Sequence, residues 1–311
     1  MFKNYDLLVK NYLANMESNE LSPRTIESYA LTFRLFRESM ERNGFEEATP
    51  AALSAFKNEP GRGITTKALY LTHLRLLSDY GVSHGYIEAP FYLDSDKIPS
   101  KKVTVARQKP YEHVLTEADM VALITAERPV YGRKPATWLR EKAEVTLMVQ
   151  SGLRNLELRT LRPCDLDWEN GVIYPAETKG DKARAVAFPA AARNAVREYL
   201  ESGLRPVWVP EDAPLFGNVG SDGTWKSMER HQLSARVLYY TNSILGEEKA
   251  CRTHAARHCY ASVLLEHGVD MQYISESLGH ASTATTKIYA ARFNVSAPAV
   301  SIASVLDAVT A

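Results

Sequence analysis

A chain of 311 residues is longer than one compact domain usually grows, so two domains, each with its own core, are expected. A composition that is 45% hydrophobic and 24% charged excludes a disordered chain, and without a signal core or an apolar run long enough to span a bilayer the expected location is cytoplasmic. Cys164, Cys251 and Cys259 match no zinc framework, so neither disulfides nor a structural metal is expected, and 37 basic against 37 acidic residues lack the positive excess common in DNA-binding proteins.

The first third reads as short helices. Ser22 can cap, and Pro23 can open, a helix running through Phe33, Phe36 and Met40 to a stop at Asn43-Gly44. Thr49-Pro50 repeats the start signal before Ala51 to Phe56. A third amphipathic stretch carries Leu69, Leu71, Leu74, Leu76 and Leu77, interleaved with Lys67, His73 and Arg75, and ends near Gly81. Residues 1–90 are therefore expected to form a small all-helical domain. From 91 to 113 the periodicity fades, Pro99 and Pro110 punctuate the chain, and Lys97, Lys101, Lys102, Arg107 and Lys109 cluster. That segment reads as an extended basic linker able to strap a nucleic-acid backbone despite the neutral total.

A second domain is expected over 114–311, beginning with the capping pattern Leu115-Thr116-Glu117-Ala118-Asp119. A helix over 137–150 follows. Leu166, Trp168, Val172, Ile173 and Tyr174 around Asn170-Gly171 then signal a hairpin, with a further strand over 185–188. Helices are expected near 190–200, 227–245, 253–267, 271–278 and 283–289, and a tail helix near 300–309. Gly217, Gly220 and Gly223 suggest a loop within the otherwise unassigned segment 209–249. The fold class is mainly α with a small β-sheet.

The informative constellation is His254-Ala255-Ala256-Arg257-His258, then Leu278-Gly279-His280, then Tyr289. His254 and Arg257 stand three apart on one helix face, so an imidazole and a guanidinium can converge on one anion, for which phosphate is suited. Upstream, Gly152-Leu153-Arg154 puts a second arginine at a helix junction with Glu157 one turn later as its orienting partner, and Lys179 sits beside Gly180 at the tip of the expected hairpin.

These elements, in this order, resemble the tyrosine recombinase and phage integrase family, especially its two-domain Xer-type members. The resemblance is carried by Arg154 in Gly-Leu-Arg-x-x-Glu-Leu, Lys179 in Thr-Lys-Gly-Asp-Lys-Ala-Arg, the His254-x-x-Arg257-His258 box, Leu278-Gly279-His280 and Thr285-Thr286-Lys287-Ile288-Tyr289. It implies a SAM-like helical core-binding domain followed by an α+β catalytic domain. It also implies a site-specific recombinase acting on double-stranded DNA, in integration, excision or resolution, through a 3′-phosphotyrosyl intermediate and without cofactor or metal. Tyr289 would be the nucleophile, Arg154 and Arg257 would hold the non-bridging oxygens, His254 and His280 would add hydrogen bonds, and Lys179 would protonate the leaving 5′ oxygen. Glu157 and His258 would support them, and Lys97, Lys101, Lys102 and Arg107 would contact DNA as the domains clamp it. Such enzymes work as homotetramers on paired sites and can be monomers in solution, with C-terminal helices packing in trans.

Other readings of the same residues differ in kind. His254 and His258 are four apart but lack the glutamate of a zinc-protease motif, Arg154 with Glu157 matches an ordinary helix ion pair, and Lys182 and Arg184 share the loop of Lys179. Tyr239, Tyr240, Tyr260 and Tyr273 compete with Tyr289. A type IB topoisomerase-like relaxing enzyme would share the chemistry, and a catalytically silent DNA-binding relative would share the fold; the short helical first domain argues against the former and the complete reactive set against the latter.

Overall fold

The computed structural model describes residues 3–108, 115–128, 135–176, 184–279 and 302–310. The chain divides into two units, Met1–Glu112 and His113–Ala311.

The first unit holds α1 (Lys3–Ser18), α2 (Pro23–Arg42), α3 (Pro50–Asn58), α4 (Ile64–Ser83) and α5 (Ser100–Gln108). Its helix starts follow local chemistry: the Ser22 hydroxyl accepts from the Thr25 amide at 3.2 Å and Thr49 accepts from Ala52 at 3.2 Å, with a proline next to each cap. Phe33, Phe36 and Met40 of α2 fall on one face and meet Leu53, Phe56, Leu71, Leu74 and Leu77 in a dry core. Helix α1 has no counterpart among the sequence expectations; it adds Tyr5 and Leu8 to that core, and the Tyr5 hydroxyl donates to the Phe33 carbonyl at 3.0 Å.

The extended linker is not what the chain forms over its described part. Phe91 and Tyr92 belong to the first unit's core, the Phe91 amide donates to Ser78 at 3.0 Å, and Asp96 is buried against Lys57 at 3.4 Å. Ser100–Gln108 is helical because Pro99 sits just outside it, where a missing N–H costs nothing and the free carbonyl accepts from Lys102 at 2.9 Å. Residues 109–113 of the expected linker lie outside the described residues.

The second unit opens with α6 (Glu117–Thr125), capped by Thr116 and Asp119 as a reciprocal box. It continues through α7 (Pro135–Ser151), α8 (Asn155–Thr160), β1 (Leu166–Asp167), β2 (Val172–Ile173), β3 (Val186–Ala187) and α9 (Ala190–Glu201). Then come β4 (Gly217–Val219), β5 (Trp225–Ser227), α10 (Arg230–Leu245), α11 (Thr253–Glu266) and α12 (Met271–Leu278), with α13 (Ile302–Val309) as the tail helix. Strands β1, β2 and β3 make an antiparallel sheet in sequence order. The glycine-rich segment expected as a loop is a second hairpin: Gly217 pairs with Ser227, and a Cβ at 217 would fall 2.5 Å from the Lys226 carbonyl, so glycine is there for close strand approach. Helix α11 is buried nearly all round and runs through the core, with Ala256 and Cys259 to Leu265 enclosed and Arg257 and His258 buried among them. The expected helix over 283–289 lies outside the described residues. The tail helix lies on the second unit of its own chain: Val305 and Leu306 are buried, and Asp307 accepts from the first amide of α9, Ala190, at 2.8 Å. Its apolar stripe finds a complementary core within one chain. Among the described residues no helix is long and apolar enough to cross a membrane.

Candidate active site

Gly152 ends α7 in the left-handed conformation, φ +60°, which aims the chain into Arg154, the N-cap of α8. A side chain there is excluded twice over, because a Cβ would lie 2.7 Å from the Tyr260 ring and 2.9 Å from Leu278. The Arg154 amide donates to Glu157 Oε2 at 2.7 Å, and its guanidinium Nη1 to Glu157 Oε1 at 2.7 Å. Glu157 is only 1% exposed, and Arg184, entering from the residue pair before β3, donates to both of its oxygens at 2.5 and 2.7 Å. Burial pushes the Glu157 carboxyl up, but the Arg184 hydrogen bonds and charge, with the Arg154 donors behind them, outweigh it and hold the pKa below the ordinary value, so the group is a carboxylate.

Arg257 reaches this junction from α11. It donates one Nη to the Gly152 carbonyl and the other to the Leu278 carbonyl, thus bridging the C-terminal ends of α7 and α12, where helix carbonyls lack internal partners. Arg154 donates its second Nη to the Gly279 carbonyl. Two guanidiniums distant in sequence are therefore tied to consecutive carbonyls immediately before His280. Gly279 is left-handed at φ +62°, and a Cβ there would meet Arg184 at 3.1 Å and Arg154 at 3.2 Å. Ser277 supports the same turn: its carbonyl accepts from Arg184 Nε at 2.7 Å and its hydroxyl shares a 2.6 Å hydrogen bond with Tyr260.

His254 lies exposed on the first turn of α11, edge-on to the buried His258 at 4.2 Å between ring centroids. Loss of water around its ring and, second, the Arg257 charge hold its pKa below 6.5, favouring neutral imidazole. Burial and the neighbouring Arg154 charge likewise pull Arg257 down from its ordinary value. Among the rival tyrosines, Tyr260 and Tyr240 are fully buried; the Tyr260 hydroxyl is pushed up to about 12 by burial, and the Tyr240 hydroxyl donates to Leu123 at 2.9 Å. Tyr239 and Tyr273 are exposed.

The structure thus gathers Arg154, Glu157 and Arg257 at one junction, with His254 and His258 one turn from it. Tyr289, Lys179 and His280 lie outside the described residues. Lys97, Lys101 and Lys102 are exposed at and on α5; Arg107 falls on that helix, its side chain outside the described residues. Arg184 is the residue that sequence reasoning misses, since there it figures only as a rival to Lys179. Its one signal is a place five residues beyond that lysine, just before a strand. Among the described residues no cluster of three or more His, Cys, Asp or Glu could hold a metal.

Residues 113–294 match the phage integrase family. The tyrosine recombinase XerA of Thermococcus onnurineus (strain NA1) is 27% identical over 91% of this chain and 89% of its own length. The tyrosine recombinase XerC of Thermodesulfovibrio yellowstonii is 31% identical over 78% of each chain. In fold, the chain resembles a XerH site-specific recombinase bound to palindromic difH substrate (TM-score 0.69, 23% identity, 87% of this chain and 77% of that one). It also resembles a lambda integrase dimer bound to a core site (TM-score 0.64, 13% identity, 90% and 96%). With more than half its length inside the family's boundaries, the chain belongs to the phage integrase family as a Xer-like tyrosine recombinase, an enzyme of site-specific DNA recombination.

Proposed function

We propose that this recombinase cleaves duplex DNA with Tyr289 as nucleophile, forming a 3′-phosphotyrosyl bond that a partner strand later resolves. The observation that carries this reading is the anchoring of Arg154 and Arg257 on the consecutive carbonyls of Gly279 and Leu278, next to His280 in the chain. A tyrosine hydroxyl with a pKa of about 10 is a poor nucleophile near neutrality unless charge growing on the phosphate is stabilised. Two fixed guanidiniums supply that stabilisation at the non-bridging oxygens, His254 and His280 add hydrogen bonds, and Lys179 gives its proton to the departing 5′ oxygen. Glu157 and His258 hold the set in place. The phosphotyrosyl bond conserves the energy of the diester, so rejoining is a second transesterification in which the 5′ hydroxyl attacks and the tyrosine leaves. The partner is double-stranded DNA, with the enzyme monomeric in solution and tetrameric on paired sites in the cytoplasm; Lys97, Lys101, Lys102 and Arg107 contact its backbone. The XerH relative, solved on a difH substrate, supports the choice of partner.

The test is to mix the full chain with fragmented host DNA, denature, and recover DNA that stays attached to protein. Sequencing maps the cleaved site, and peptide mapping locates the modified tyrosine. Tyr289→Phe is expected to abolish the adduct while keeping DNA affinity. Arg154→Ala and Arg257→Ala each slow cleavage by roughly 10²-fold or more, with far smaller losses in binding. An adduct on Tyr273, or one that survives in the Phe variant, would overturn the assignment.

A further inference from the structure

Glu157 presents four acceptor positions in use: Oε1 takes Nη1 of Arg154 and Nη1 of Arg184, and Oε2 takes the Arg154 amide and Nη2 of Arg184. Two of the four donors come from Arg184, whose side chain is 7% exposed, against 24% for Arg154. The buried carboxylate is thus neutralised chiefly from the side away from solvent, and the more open guanidinium has spare capacity. Three guanidiniums, Arg154, Arg184 and Arg257, gather around one carboxylate here, which leaves the excess positive charge that a phosphate would balance.

The third donor of Arg184, Nε, holds the Ser277 carbonyl two residues before Gly279. Its backbone also closes the connection between β2 and β3, the stretch of sequence that contains Lys179. One planar fork therefore ties three separately encoded parts of the site, a geometry a lysine cannot reproduce because its ammonium is a point donor.

We infer that Arg184 is a positioning residue for cleavage: by occupying both oxygens of Glu157 it keeps Arg154 available to the phosphate, and by holding Ser277 it fixes the end of α12 that leads into His280. Without it, Glu157 would be a buried carboxylate with one cationic partner, and Arg154 would be drawn into a two-point fork with it, since a buried charge stripped of one partner is costly. Arg184 would touch no reacting atom.

This inference rests on the proposed chemistry, and its test separates the two. The probe is a duplex carrying the site mapped by adduct sequencing, used in single-turnover cleavage and in binding with the full chain. Wild type must give the adduct; if it does not, the proposed chemistry fails. Arg184→Ala is expected to cleave about 100-fold more slowly with affinity changed less than about threefold, the scale of a misplaced catalytic group. Adding Glu157→Gln to Arg184→Ala should recover about tenfold, because a neutral amide no longer competes for Arg154. A merely structural arginine would instead lose binding and cleavage together and gain nothing from the second change. Wild-type cleavage by Arg184→Ala, or no recovery in the double variant, overturns the inference. Should Arg184→Ala fail to fold, Arg184→Lys decides: it keeps the charge but not the fork, so cleavage about tenfold slower at unchanged affinity supports the inference and wild-type cleavage sinks it.

Discussion

In the first unit most charge stays at the surface, and the one buried carboxylate among its described residues, Asp96, lies at the edge of the core against the half-buried Lys57. Its arginines pair with carboxylates on exposed helix faces, as in Arg34 with Glu38 and Arg75 with Asp79, and its buried His73 stacks on Tyr29 at 3.8 Å with Nδ1 2.8 Å from the Thr32 hydroxyl. The second unit does the reverse. Besides the Glu157 junction it encloses Glu144, fully buried, between Arg236 at 3.3 Å and Arg140 at 3.9 Å, and Arg140 goes on to Gly217 and Asn218 of β4. The first unit centres its core on apolar side chains and a buried imidazole. The second unit is built around buried ion pairs, the kind of framework that the proposed presentation of fixed cations to a phosphate would need. The contrast also predicts unequal sensitivity to substitution and opposite responses to pH.

The largest difference should appear on deleting carboxylates. Glu144→Ala strands Arg140 and Arg236 in the core, so a loss of about 3–5 kcal/mol of stability is expected, whereas Glu38→Ala removes an exposed pair worth roughly 0–1 kcal/mol. The four tryptophans, Trp138, Trp168, Trp208 and Trp225, all lie in the second unit, so urea unfolding followed by tryptophan fluorescence reads Glu144→Ala within the intact chain, and the helical ellipticity that the first unit contributes to the same unfolding curve reads Glu38→Ala. Equal losses from the two substitutions would erase the distinction.

The next effect is the sign of the pH dependence, about 3 kcal/mol in each unit for shifts of this size. Burial pushes His73 down to about 4 from 6.5, so the unfolded chain takes up a proton first as pH falls. Its contribution is fully present above pH 6.5 and is lost as pH falls towards 4. Burial pushes Glu144 up to about 7 from 4.5 in spite of its two arginines, and there the native state holds the proton; that contribution is present below pH 4.5 and is lost as pH rises through about 7. The stability gap between wild type and His73→Gln should therefore narrow on acidification. The gap for Glu144→Gln should narrow or reverse on going alkaline. Parallel trends for the two variants would contradict the neutral-versus-charged contrast.

How much of this is legible in the sequence follows from the range of each interaction. Caps at Ser22, Thr49 and Thr116 are readable because donor and acceptor lie three residues apart, and the span of α12 because its signals are all local. The Arg154–Glu157 pairing is readable for the same reason. Arg184 is not, since its partners Glu157 and Ser277 come from other elements and nothing in its spacing announces them. Helix α1 is obscured because the exposed Leu7 beside the buried Leu8 breaks up the inward stripe of Tyr5, Leu8, Tyr12 and Met16 when it is read from sequence alone. The prolines of 91–113 suggest an extended chain because a proline just outside a helix start looks, in sequence, like a linker proline.

The smallest effect tests the other use of positive charge, in which lysines attract DNA without being held in place. Lys97, Lys101 and Lys102 are exposed and belong to the first unit, so they should add affinity and take no part in the chemical step. Changing them to Gln should reduce the slope of log affinity against log salt by about 0.9 for every phosphate they neutralise, with little regard to sequence. Cleavage at saturating DNA should stay at the wild-type rate, because an interaction of equal strength in ground and transition states does not change the step between them. An unchanged salt slope would mean that the start of α5 does not meet the backbone. A fall in cleavage at saturation would move these lysines from attraction to chemistry, and the division of labour between mobile surface cations and the fixed arginines of the second unit would no longer hold.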